Sequence, residues 1–428
     1  MSGPTGVMAP PSPGPAPAQR MPSPYSLPLH TLRLAGKCAL PLITWFAAGE
    51  AVRFGLLYLG TEISHGDYRQ VRLVLSVAVL TLVVMASMAV VSGMLYSLRS
   101  AMWEMRARED DEPFWRAMDR VAPAYAVLYL AWGFQREDAR DFVQMDWLHN
   151  VDQFLDETFL GNDSTVGRGL IDLDWRISLG AMAAAIGLRM LFSRMVEQGK
   201  GRFSGLSAAF SEFAVVFFGL NATMVFAKAR LDWVEHRGVV QTSEQVLADA
   251  KEHVPGWESF WGAVGEVWPY VMDGVVVPLT WLTIAVLVYG AFADDARTAL
   301  RGTRLERHLD RLETSHDLTQ RSFNRFTGGF QERWVPLANS FRLTVKGGAA
   351  LFGMMCLSYV VLHAGAEYAL RGVRTLIGSE TEWFWLVLGY PVDFVKSLLL
   401  TCLTMSLLAA TFDIAATRAR ARGEAITS

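Results

Sequence analysis

The chain has 428 residues, of which 52% are hydrophobic and 19% charged, and its formal net charge at pH 7 is -3. Apolar residues in long runs are the composition of a polytopic membrane protein, and the near-neutral balance offers no basic footprint for nucleic acid. The three cysteines, Cys38, Cys356 and Cys402, all fall in apolar segments, which excludes a disulfide or a cysteine-based metal knuckle within the loops.

Residues 1–30 hold nine of the 17 prolines and no apolar run, so they read as a disordered, partly polyproline cytoplasmic tail and not as a signal peptide. Beyond them the apolar runs begin. A helix crosses a hydrocarbon core about 30 Å thick with roughly 20 mostly apolar residues, because its backbone groups must be bonded within the segment. Runs that meet or approach this length cover residues 34–59, 73–98, 121–134, 177–195, 203–227, 268–292, 347–366 and 383–414. The second carries no charge and would reach about 39 Å, whereas the third would reach only about 21 Å. The expected fold is an all-α integral membrane protein, a polytopic bundle of eight transmembrane helices within residues 31–417. Six is the alternative, if 121–134 and 177–195 both fail to cross.

Lys and Arg concentrate in short loops on the cytoplasmic side. With the N-terminus inside, 23 basic residues fall in inner segments and 12 in outer ones, which predicts both chain ends in the cytoplasm. The inner segment 293–342 carries nine arginines on a broken leucine pattern and is the expected surface for protein partners or anionic headgroups; a basic tail follows at 418–428. Outer segments 135–176 and 228–266 carry apolar residues at helical spacing among acids. Trp147, Phe154 and Phe159 mark the first, Trp257, Phe260 and Trp261 the second. Both read as short helices capping the bundle or lying on the outer surface. The lipid bilayer is the other expected partner, and nucleic acid is not one. Usage of Ala, Gly and Arg is that of high-GC bacteria, which would make the membrane the plasma membrane. A short internal similarity links Glu50, Arg53, Gly60 and Glu62 to Glu367, Arg371, Gly378 and Glu380.

No stretch fits a phosphate-binding GxxxxGK[ST] loop, an HExxH zinc helix or a GxSxG nucleophile elbow, so no ATPase domain, cofactor, metal site or catalytic residue is expected. Asp172 and Asp174 form a DxD before the fourth run, the one pattern that would suit a lipid-linked glycosyl transferase. His363 and Glu367 share a helical face four residues apart.

Charges within the runs are the most informative feature, because each costs several kcal/mol unless paired or wet. Lys346 and Asp413 stand near inner ends, from which they can reach water. Arg189 and Glu212 flank the turn at 198–202 at similar depth and are expected to form a structural ion pair. Glu50, Arg53, Asp273, His363, Asp393 and Lys396 all fall in the outer half and form the candidate substrate- or ion-binding set. Glu50 with Arg53, and Asp393 with Lys396, could also neutralise one another at a spacing of three. The functional expectation is a permease or channel-like transporter of a small polar or ionic solute. A membrane scaffold or accessory subunit without transport is the alternative.

Overall fold

The computed structural model describes residues 22–108, 113–131, 133–160, 166, 173–197, 204–235, 257–289, 348–378 and 382–421. Among these residues every regular element is a helix. Seven helices are long and apolar enough to cross a membrane: Ala39–Ser64, Arg69–Ala101, Trp175–Met195, Leu206–Thr223, Phe260–Val288, Ala349–Ile377 and Val387–Ala421. They correspond to seven of the eight apolar runs; the run at 121–134 is not among them. Segment 293–342, the DxD residue Asp172, Lys346 and the turn at 198–202 lie outside the described residues, as do most of the proline-rich tail and the end of the basic C-terminal tail.

The first regular elements among the described residues are a 3-10 turn, Pro24–Ser26, and helix α1, Leu27–Lys37, so the last residues assigned to the tail are helical. Leu27, His30, Thr31 and Leu34 recur at helical spacing and are buried. Cys38 breaks the helix, and α2, Ala39–Ser64, follows. A turn through Gly66 (φ 111°) returns the chain into α3, Arg69–Leu98, which is buried over most of its length and touches α2 closely. Gly49 and Gly93 allow that approach: an added Cβ would stand 2.3 Å from Val90 Cγ2 at the first and 2.4 Å from Trp45 Cε2 at the second.

Short α4, Trp103–Arg108, leads to α5, Phe114–Ala131. α5 is packed on α3, and Ala117, Met118, Val121, Ala122, Tyr125 and Leu128 are all buried. The opposite side is polar and open, with Arg116 and Asp119 exposed, while half-buried Arg120 reaches a backbone carbonyl of a neighbouring helix. At Gly133 (φ 73°) the chain turns into α6, Phe134–His149, and then α7, Val151–Phe159. α6 differs from a surface cap: it lies lengthwise on α2, and Phe142 is 1% exposed among Leu57, Leu80 and Val83. Gly60 makes room for that ring, since a Cβ there would lie 3.0 Å from Phe142 Cε2.

α8, Trp175–Glu197, and α9, Ser204–Glu235, form a closely packed hairpin. α10, Trp257–Val271, passes through one π turn, Met272–Val276, into α11, Val277–Val288. The aromatic residues Trp257, Phe260 and Trp261, expected in an outer cap, thus begin this long helix. Pro278 cannot donate to the carbonyl of residue 274, and the widened turn falls at that gap. α12, Ala349–Ile377, and α13, Glu382–Ala421, complete the bundle, with α1 laid along α13.

Contacts at helix ends fix how the passes run. At one end Tyr289 Oη donates to Leu95 O (3.1 Å), and Arg120 Nε donates to Leu287 O (2.7 Å) at the C-terminus of α11. At the other, Asp174 N donates to Gln70 Oε1 (3.1 Å), and Asn221 Nδ2 to Ser178 Oγ (2.8 Å). α5 therefore starts level with the end of α3, and α6 finishes level with the end of α2.

Candidate functional site

Two buried polar networks stand out, one at each end of the bundle. The first surrounds Asp413 on α13, which is 0% exposed. Its carboxylate accepts from His30 Nε2 (2.9 Å), Trp103 N (3.0 Å) and Glu104 N (2.8 Å). The two backbone donors are the opening N–H groups of α4, which no intrahelical carbonyl can satisfy, so Asp413 caps that helix from another part of the chain. His30 stacks on Trp103 with ring centroids 4.0 Å apart, and Glu104 Oε2 lies 2.7 Å from Arg420 Nη2. The expectation that Asp413 reaches water is corrected here. α1 and α4 close over it, and its charge is held by donors instead of solvent.

The second network joins α2, α5 and α6. Arg53 Nη2 lies 2.6 Å from Asp138 Oδ1 and 2.7 Å from Asp141 Oδ2. Tyr129 Oη, at the end of α5, donates a short hydrogen bond to the second oxygen of Asp138. Further along the same contact His65 Nε2 meets Asp146 Oδ1 at 2.6 Å, and Asn150 Nδ2 donates to that same oxygen at 3.0 Å. At the rim His149 Nε2 meets Glu62 Oε1 at 2.8 Å and its ring stands edge-on to Tyr58. Burial alternates along this line. Asp138 and Asp146 are enclosed, the side chain of Asp141 is 42% exposed, and that of Glu62 is 52% exposed. The arrangement is a file of carboxylates and bases leading from the open end of α2 to a guanidinium inside the bundle. One positive charge at Arg53 faces two carboxylates, so the innermost trio carries a net negative charge when all three are ionised.

The residues singled out from sequence are distributed differently. Glu50 is exposed on α2, and Arg53 is held by α6 instead of pairing locally with it. Lys396 Nζ lies 2.7 Å from Glu367 Oε1 on α12, not on Asp393, which is exposed on α13. His363 Nδ1 meets Tyr359 O at 3.0 Å and its ring stacks on Tyr359, so it does not share a ligand with Glu367. Asp273 is exposed within the π turn, whose Gly274 packs beside Val360 of α12. Arg189 Nη2 stands 3.5 Å from Glu212 Oε1 across the α8–α9 hairpin. Asp174 of the DxD accepts from Arg176 N at 2.8 Å and so caps the start of α8. Within the short internal similarity, Gly60 lies mid-helix against Phe142 whereas Gly378 ends α12 with φ 57°, so the two glycines serve different ends.

No family model matches the chain, and no curated protein or solved structure matches it. The site must be read from its chemistry alone.

Asp138, Asp141 and Asp146 were not selected from sequence because 135–176 reads as short helices capping the bundle or lying on the outer surface, and His65 and Tyr129 were not selected because neither is a charge within an apolar run. A signal was present. Arg53, Leu57, Thr61 and His65 repeat every four residues on α2, and Asp138, Asp141, Met145 and His149 repeat at threes and fours on α6, so both charged faces are in phase.

Proposed function

We propose that this chain is an integral membrane protein of eight crossings, seven continuous and one broken at Gly133 into α5 and α6, and that the α2–α5–α6 junction takes up and releases a proton or small cation. The crossing count rests on the end contacts. α5 starts beside the end of α11, and α6 ends beside Glu62 and His65 at the far end of α2. Seven crossings would leave the two chain ends on opposite sides, against the 23 to 12 division of basic residues. The bacterial plasma membrane suits the composition and that charge division.

The observation that carries the functional reading is the trio Arg53, Asp138 and Asp141. Two carboxylates share one guanidinium, and the surplus charge favours a proton or monovalent cation as the third partner. Half-exposed Asp141 supplies access, while Tyr129 and Arg53 keep enclosed Asp138 in place. Broken helices are a recurrent way to bring polar groups to such a site, because irregular backbone is tolerated only inside protein or beside water.

Purified protein in liposomes, loaded with a pH-sensitive or alkali-cation-sensitive dye, tests this. Wild type is expected to dissipate a proton or cation gradient, and Asp141→Asn to slow this by about tenfold or more while eluting as a folded monodisperse species. A wild type that moves neither protons nor alkali cations under either gradient would sink the transport reading. The scaffold reading would then lead, and one observation already favours it: two grooves among the described residues are apolar and outward-facing, lined in one case by Leu40, Pro41, Thr44, Trp45 and Ala48.

A further inference from the structure

Along the seam where α6 lies on α2, carboxylates outnumber permanent cations. Glu62 on α2 and Asp138, Asp141 and Asp146 on α6 all make contacts across it, and the arginine that meets them is Arg53. Arg136 and Arg140 do not alter that balance, because both are exposed and stand two residues either side of Asp138, on the opposite side of α6. The positive charge that can vary in these contacts belongs to His65 and His149. Four carboxylates against Arg53 and two imidazoliums leave one surplus negative charge; against Arg53 alone they leave three.

The two histidines are placed as a clasp. Acid and base stand three residues apart on each helix, Glu62 and His65 on α2, Asp146 and His149 on α6, and each base reaches the acid of the other helix. His65 Nε2 lies 2.6 Å from Asp146 Oδ1, and His149 Nε2 lies 2.8 Å from Glu62 Oε1. Glu62 feels His65 as well as His149, so the two pairs are electrostatically joined. Nδ1 of His65 is enclosed with no partner among the described residues, which leaves Asp146 as the contact that answers to its charge. The side chain of His149 is 36% exposed and meets solvent protons directly. On the elements packed here, Tyr58 of α2 stands edge-on to His149, Arg69 and Arg72 open α3, and Arg72 donates to the carbonyls of Asp67 and Ile63. Asp67 in the turn and Asp152 at the start of α7 are exposed. Inward of the clasp, Phe142 packs among Leu57, Leu80 and Val83, and Arg53 holds Asp138 and Asp141 with a charge that does not titrate. The end of α6 beyond Phe142 is therefore the part whose docking answers to pH.

We infer that this clasp is a pH-set latch on the outer end of α6. With both imidazoles charged, α6 is drawn onto α2 and the seam is closed outward of Asp141; as they lose their protons the negative charge in the seam rises and the end of α6 parts from α2. The inference rests on the proposed uptake site, whose outer entrance the latch controls. Its sign follows from the charges. A charged imidazole attracts the carboxylate it touches through a charge-assisted bond, whereas a neutral one leaves the carboxylate charge unbalanced, so docking is strongest in acid and weakens as pH rises between about 5 and 8.

Hydrogen exchange of the purified full chain, followed by mass spectrometry at about pH 6 and about pH 8 with exposure times scaled for intrinsic exchange, tests the latch. Peptides covering residues 143–150 are expected to lose about fivefold in protection at the higher pH, while peptides from α3 keep theirs. His149→Gln should reduce that change to about twofold, and His65→Gln combined with His149→Gln should abolish it, leaving 143–150 equally loose at both values. Wild type and the single rim variant decide the matter even where the double variant fails to fold. Equal protection of wild type at both values, or a pH dependence undiminished in His149→Gln, would overturn the proposal. Flux measured on the same preparations keeps the two readings apart. Flux without pH-dependent exchange removes the latch and keeps the uptake site, whereas pH-dependent exchange in a protein that moves neither protons nor alkali cations keeps the latch and removes the uptake reading.

Discussion

Asp413→Ala is expected to lower stability by about 3–5 kcal/mol, the cost of breaking a buried charged network by removing one member. Nothing can replace the lost acceptor. Trp103 N and Glu104 N open α4 and have no intrahelical partners, and His30 would lose its bond from Nε2. An unsatisfied buried donor costs about 1–3 kcal/mol, so the loss of three partners is more than neighbouring contacts can absorb. The consequence should be local first: α1 and α4, which touch the bundle through this carboxylate, should loosen from α13. Asp413→Asn keeps one acceptor oxygen but turns an amide donor toward backbone N–H, and should fall between alanine and wild type. Thermal unfolding of the purified protein in one detergent, followed by tryptophan fluorescence, provides the measure, with Trp103 as a nearby reporter. An Asp413→Ala protein that melts with wild type would refute this role.

Arg53→Met should be about as costly, roughly 3–5 kcal/mol, for the converse reason. It strands Asp138 and Asp141 against each other on α6 with no cation between them. The diagnostic result is recovery. Adding Asp138→Asn and Asp141→Asn to Arg53→Met removes the stranded charges, so the triple variant should melt above the single one. Purely steric loss of the arginine would give no recovery, because the same gap would remain in both proteins.

The contrast between these two sites explains what the sequence could reveal. The helices long and apolar enough to cross a membrane were legible because a bilayer demands length and low polarity of each one separately, as in α3, whose charge-free run stands out without reference to any other helix. α5 escaped that test for a physical reason. Val121, Tyr125 and Leu128 are buried against protein while Arg116 and Asp119 are exposed, so α5 is two-sided and carries no uninterrupted apolar run of crossing length. Charged pairs followed the same division. Arg189 and Glu212 are brought together by a hairpin whose geometry is implied by adjacent helices, whereas Arg53 finds Asp138 and Lys396 finds Glu367 through packing that spacing along one helix cannot reveal. Asp413 read as a residue near water because α1 was counted partly as tail; once Leu27–Lys37 folds over α13, the same position becomes the most enclosed carboxylate of the inner network.

Everything proposed for the outer network depends on α5 and α6 carrying the chain from one side of the membrane to the other. Single cysteines placed on exposed Ser100 and Gln153, in a background with Cys38, Cys356 and Cys402 replaced by serine, make this measurable in intact cells with a membrane-impermeant maleimide. Eight crossings require Gln153→Cys to label from outside and Ser100→Cys to label only after the membrane is permeabilised. Labelling of both positions from the same side would mean that α5 and α6 do not cross, and would contradict the broken-helix topology together with the site built on it.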